Sequence, residues 1–123
     1  MLKFKIDAIT LSQNPWERIH WTTRQKQKEL WYWLVKSAIG ETNPKKKPKH
    51  VHIIRVAKRL IDDQNVSAGT KYLVDALQAF GHIYRDSRPW ARVTYDQRKV
   101  RPGEEPHMEV TITAAEPEED HAA

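Results

Sequence analysis

The sequence predicts a single α+β domain: a small mixed β-sheet of about four strands with two main helices packed on it. Three observations carry this. The hydrophobic period runs two, then three-to-four, then two, then three-to-four, then two twice, in the order strand, helix, strand, helix, strand, strand. The length of 123 residues leaves room for one domain and excludes solenoids, propellers and multidomain enzymes. Five tryptophans and an apolar fraction of 39% give enough large apolar surface to order a core.

The elements follow in chain order. Leu2, Phe4 and Ile6 alternate with Lys3, Lys5 and Asp7, the period of a half-buried strand. Residues 10–21 carry Ser12, Asn14 and Pro15 without a period and read as a structured loop. From Thr22 to Ile39 the positions Leu30, Trp31, Leu34, Val35, Ala38 and Ile39 mark one helical face, with Thr22 or Thr23 as N-cap and Gly40 as stop. Trp33 falls opposite Trp31, so one of the two must face outward, where it would suit a dimer contact. Pro44 and Pro48 bound a basic loop. A strand is expected over 50–58. Val66, Thr70, Leu73, Ala76, Leu77 and Phe80 predict a second helix, capped by Asn65 or Ser67 and stopped by Gly81. Residues 92–100 and 108–113 read as two strands joined by the turn Arg101-Pro102-Gly103. The domain is expected to span residues 1–115, with 116–123 as a disordered acidic tail.

The formal charge of +5 conceals an asymmetry. Four of the 16 acids lie in the tail, so residues 1–115 hold 21 basic against 12 acidic residues, a balance of +9. Residues 17–59 hold 12 basic against three acidic residues, again +9. Such a field attracts polyanions, nucleic acid first and an anionic membrane second. The chain has no cysteine, which excludes disulfide frameworks, zinc ribbons and thiol catalysis. No apolar run approaches the ~20 residues of a membrane span. The N-terminus alternates instead of forming a signal-peptide core, so no membrane association and a cytoplasmic location are expected.

The chemistry concentrates around the second helix. Asp62 and Asp63 precede its start, with Gln64 and Asn65 between them and the helix. Lys71 and Asp75 lie one turn apart within it, and Asp86 follows its end. Carboxylates gathered at a sheet rim suit Mg²⁺, a hard cation that takes oxygen ligands. A lysine beside them suits phosphodiester hydrolysis, which needs charge neutralised at the attacked phosphate. The bland reading is acids that favour a helix N-terminus and a turn.

Asp62-Asp63-Gln64-Asn65-Val66, followed by Gly69, Lys71, Asp75-Ala76-Leu77, Gly81 and Asp86-Ser87, resembles the RusA family of Holliday junction resolvases, in the versions carried by phages and prophages. The family pattern is Asp-x-Asp-Asn-Leu, a helix with Lys and Asp-Ala-Leu, then Gly and an Asp-Asp pair. Ser12-Gln13-Asn14 with Arg18, His20, Trp21 and Arg24 is similar to that family's N-terminal loop and helix start. The resemblance covers roughly residues 4–113. It implies a homodimeric, Mg²⁺-dependent crossover junction endodeoxyribonuclease that accepts Mn²⁺ and needs no small-molecule cofactor. Its substrate would be four-way junction DNA, cut by paired nicks that leave 5′-phosphate and 3′-hydroxyl ends.

The resemblance implies Asp62, Lys71 and Asp86 as catalytic residues. Asp62, Asp63, Gln64 and Asp86 would hold the metal, with Asn65 and Asp75 in support. Gln64 and Arg85 stand where the family carries acids. That substitution supports an alternative, a non-catalytic protein that binds branched DNA. An RNA-binding domain has only its charge in favour. DNA contacts are expected from Arg18, Arg24, Lys45, Lys46, Lys47 and Lys49, and such binding would weaken with salt. His50 and His52 share one strand face; surface histidines are expected there in preference to a zinc site. Trp16 and Trp21 are expected to pack their loop on the sheet.

Overall fold

A computed structural model describes residues 1–8, 21–62, 66 and 70–115, with the side chains of residues 21–24 outside the description. The elements are β1 (Leu2–Ile6), α1 (Trp21–Ile39), β2 (Lys49–Ala57), α2 (Lys71–Ala79), β3 (Ala91–Lys99) and β4 (His107–Ala114). This is a small single-domain α+β fold, as the alternating periods predict.

The strands form one sheet in the order β1-β4-β2-β3. β2 and β3 run parallel, joined through α2, and the other two pairings are antiparallel. The register places Val51, Ile53 and Arg55 of β2 on one face with Val93, Tyr95 and Gln97 of β3 and with Ile112, Val110 and Met108 of β4. Leu2, Phe4 and Ile6 of β1 extend the same face. The helices cover it: Trp31 and Val35 of α1 and Leu73, Val74, Ala76 and Leu77 of α2 join the sheet residues in one core. The opposite face carries Lys3, Lys5, His50, His52, Thr94, Arg98 and Glu109, the polar half of the alternation.

Helix boundaries differ in detail from the sequence expectation. α1 begins at Trp21, so Thr22 and Thr23 lie inside its first turn. A first-turn residue has no intrahelical partner for its N–H, as a cap has none, so residue type does not separate the two positions. Regular α2 begins at Lys71 with Thr70 as N-cap, later than Asn65 or Ser67. Helical bonding nonetheless starts upstream: Val66 N–H donates to the Asp62 carbonyl at 3.1 Å and Thr70 N–H to the Val66 carbonyl at 3.2 Å. Asn65, Ser67 and Gly69 themselves lie outside the described residues.

Trp31 is 3% exposed and Trp33 64%, the opposition that their spacing requires. Gly81 ends α2 with φ +83°, and a Cβ there would stand 1.9 Å from the Thr42 carbonyl oxygen. Only glycine allows both that backbone conformation and so close an approach. Trp16 and the tail from 116 to 123 lie outside the described residues, as does the Trp21 side chain. Among the described residues, no helix is long and apolar enough to cross a membrane.

Candidate active site

The site is built where β2 hands over to α2. The last strand residue, Ala57, leads through an exposed turn to Ile61 and Asp62. Gln97, at the matching end of β3, holds Ile61 by both backbone groups. The Ile61 N–H donates to Gln97 Oε1 at 3.0 Å, and Gln97 Nε2 donates to the Ile61 carbonyl at 2.5 Å. An amide with one donor and one acceptor edge pairs here as a strand neighbour would. Asp62 follows directly and is exposed. Arg55, the register partner of Gln97, is 7% exposed and donates from Nη1 to the Arg59 carbonyl at 3.1 Å. Among the described residues its Nε has no partner, and burial lowers its guanidinium's affinity for the proton.

Lys71, Asp75 and Gln78 recur at helical spacing along α2, on the flank that leaves the core. The Gln78 side chain reaches the following loop, where its Oε1 accepts from the Asp86 N–H at 2.9 Å. That bond brings the Asp86 carboxyl against Asp75. Asp75 is held above the usual carboxylate range, first by burial, then by the charge of Asp86 and a hydrogen bond between the two side chains. Two carboxyls this close make each other's charge costlier, and a cation between them would offset that cost. Lys71 and Lys28 act the other way on Asp75, each favouring its charged form. From α1, Tyr32 also faces this pair: burial and then Asp75 raise its phenol above the ordinary value. Lys28 lies 5.6 Å from the centroid of the Tyr32 ring.

The structure thus brings Asp75, Asp86, Lys71, Lys28 and Tyr32 together. Asp62 is not within a common metal-sized group of three with Asp75 and Asp86 among the described residues. Asp63, Gln64, Asn65 and Arg18 lie outside the described residues, and the Arg24 side chain does too. Arg85, beside Asp86 in sequence, turns to the Tyr84 ring at 5.3 Å. Of the basic loop, Lys45, Lys46 and Lys47 are exposed and Lys49 is half-buried. Lys46 lies 5.7 Å from the Tyr84 centroid. His50 Nε2 and His52 Nδ1 both meet the Thr94 hydroxyl, at 2.8 and 2.6 Å.

Sequence reasoning missed Lys28, Tyr32 and Gln97 as members of this site. Lys28 and Tyr32 are four apart on α1 and so share a face, a signal that was present. Nothing in the spacing of Gln97 from Ile61 announces their pairing.

A second cluster occupies the open face of the sheet. Arg98 donates to both oxygens of Glu104, each at 2.8 Å, and to Glu109 at 3.2 Å. His107, 2% exposed, places Nδ1 2.8 Å from the Glu105 carbonyl and Nε2 2.8 Å from Glu109. The Arg98 hydrogen bonds, then the Arg101 N–H, lower the Glu104 carboxyl to about 2. His107, more than any other group, holds Glu109 below the usual range. Glu104, His107 and Glu109 offer ligand atoms within 4.8 Å of one another, a group that could hold a metal ion. Arg98 supplies one positive charge there against the two carboxylates.

No protein-family model matches the chain, and no curated protein matches it.

Proposed function

We propose that the chain is a Mg²⁺-dependent endonuclease that resolves four-way DNA junctions by paired nicks, acting as a homodimer in the cytoplasm. The observation that carries this reading is the Asp75–Asp86 carboxyl pair beside Lys71 on a basic domain. The pair fits a hard divalent cation. It presents carboxylate oxygens close together, the ligand type a hard cation takes. Asp75 and Asp86 would hold Mg²⁺, with Asp62 contributing from the adjoining segment. Bound there, the ion supplies a polarised water and offsets charge on the phosphate.

The remaining work falls to the chain's own residues. Lys71 places its ammonium against the scissile phosphate and favours the pentacoordinate charge over the ground state. Gln97 fixes the backbone before Asp62. Lys45, Lys46, Lys47 and Lys49 add contacts to DNA phosphates, and Arg18 and Arg24 extend them from the N-terminal segment. Water oxygen bonds to phosphorus and loses a proton to solvent, the P–O3′ bond breaks, and the departing oxygen takes a proton from solvent to become the 3′-hydroxyl. Two copies related by a two-fold axis place two sites on opposed strands, matching the symmetry of the junction.

The test is cleavage of an end-labelled four-way junction with and without Mg²⁺. Asp62→Asn and Asp86→Asn should each lower the rate by at least about 100-fold while binding persists. Wild-type cleavage by Asp86→Asn would remove the pair from the mechanism. The second reading is a non-catalytic binder of branched DNA. It is favoured by Gln64 in an acid's place and by Arg85 turned to Tyr84 instead of toward Asp86. Tight junction binding without product, across Mg²⁺ and Mn²⁺ concentrations, would establish it instead.

A further inference from the structure

A cavity of about 360 Å³ opens at the start of β2, and its lining includes none of Asp62, Lys71, Asp75 and Asp86. The size falls in the range that takes small ligands. Leu2 and Ile112, register partners at the end of the sheet, form an apolar floor. Thr42 and Asn43 supply polar groups at the wall, and Lys45 and Lys49 supply two positive charges. No acid lines it among the described residues.

The placement of Lys49 is informative. It shares the helix-facing side of β2 with Val51 and Ile53, so its stem runs over the end of the core and not onto the open sheet face. It is half-buried. Among the described residues, neither Lys49 nor Lys45 has a carboxylate partner, whereas Lys36 pairs with Glu41 and Lys5 with Asp7. Two lysines that line one cavity without a carboxylate partner offer an anion a pair of positive charges.

The walls are fixed before any ligand arrives. Thr42 N–H donates to the Phe80 carbonyl at 2.9 Å, and Gly81 lets the Thr42 carbonyl approach. At the other end of the loop, Lys49 N–H donates to the Trp90 carbonyl at 2.9 Å. Ala115 N–H donates to Pro48 at 3.1 Å. His82 donates from Nε2 to the Gly40 carbonyl at 2.8 Å, which holds the ring at the rim. A loop tied at both ends loses little freedom on binding.

We propose that this cavity binds a nucleoside phosphate, with the phosphate between Lys45 and Lys49 and the base or sugar on Leu2 and Ile112. The assignment does not require the nuclease reading. The same chemistry arrives as a free nucleotide or as the 5′-phosphorylated end of a strand. Lys46 provides an internal control, because it lies over Tyr84 and outside the cavity lining although it belongs to the same loop.

The experiment titrates dAMP, deoxyadenosine, inorganic phosphate and a short 5′-phosphorylated or 5′-hydroxyl oligonucleotide into the full chain by calorimetry. Wild-type, Lys45→Gln, Lys46→Gln and Lys49→Gln proteins are compared. The expected result is dAMP binding that weakens at least tenfold in Lys49→Gln and Lys45→Gln and less than twofold in Lys46→Gln. Preference for the phosphorylated strand over dAMP would identify a strand end as the natural source, and equal affinity would identify a free nucleotide. Three results would overturn the proposal: equal losses in all three variants, which indicate diffuse charge; inorganic phosphate binding as tightly as dAMP; or no dAMP binding at millimolar concentration.

Discussion

Gln97 of β3 makes both backbone hydrogen bonds of Ile61, so a side chain completes the path of the main chain into Asp62. Gln97→Leu keeps the volume and loses both bonds. Under the proposed function it should lower kcat for junction cleavage by about 10–100-fold, as loss of an outer supporting contact does, with KM little changed. A merely structural role would lower thermal stability and leave kcat of the folded fraction unchanged. Steady-state kinetics beside a melting curve separates the two.

The Asp75–Asp86 contact predicts opposite effects on stability and on metal binding. A carboxyl raised in the fold costs stability above its folded pKa, and the cost is relieved as the pH falls through that value. Asp75→Asn should therefore raise Tm at pH 7.5, by roughly 1–3 °C for a relieved pair near the surface. Mg²⁺ should raise Tm of the wild type and leave that of Asp75→Asn or Asp86→Asn unchanged, because a ligand stabilises only what it binds. Identical Mg²⁺ shifts in all three proteins would place the ion elsewhere.

The open-face network gives a separate pH signature. Glu104 has an ordinary value of 4.5 and is held at about 2. Its contribution is therefore complete above 4.5 and is lost as the pH falls toward 2. Urea midpoints of the wild type should fall steeply over that window, and those of Glu104→Gln should start lower and fall less. Parallel curves would show that Arg98 and Glu104 do not stabilise the hairpin between β3 and β4.

Gly81→Ala should be strongly destabilising. The new Cβ would meet the Thr42 carbonyl at 1.9 Å, a backbone atom, and the residue would sit at φ +83°. The expected loss is about 3 kcal/mol or more, from strain and overpacking together. Chemical denaturation measures it. Gly40→Ala, with open space around its Cβ, should cost about 1 kcal/mol from its conformation alone.

Much of the fold is legible in the sequence because each element carries its period. Leu2, Phe4 and Ile6 alternate, Trp31 and Trp33 oppose, and Gly40 and Gly81 stop their helices. The sheet order is not legible in this way, since an alternating strand fits beside any other. The candidate site is legible in part. Lys71 and Asp75 share a helical face and so foretell their proximity. The contact between Asp75 and Asp86 depends on a loop turned back by Gln78, which no local pattern encodes. The roles of Lys45 and Lys49 likewise depend on where the sheet ends, whereas the sequence shows only a basic loop.

The pairing of β1 with β4 fixes a timetable for assembly. β4, the last of the described strands, lies between β1 and β2. During synthesis β1 has no strand partner among the described residues until 107–114 have emerged, whereas α1, β2, α2 and β3 can gather before then. The closing step joins segments about a hundred residues apart, the kind of long-range contact that slows folding. Until β4 inserts, the facing edges of β1 and β2 are both open, and an extended segment from another chain can compete for them.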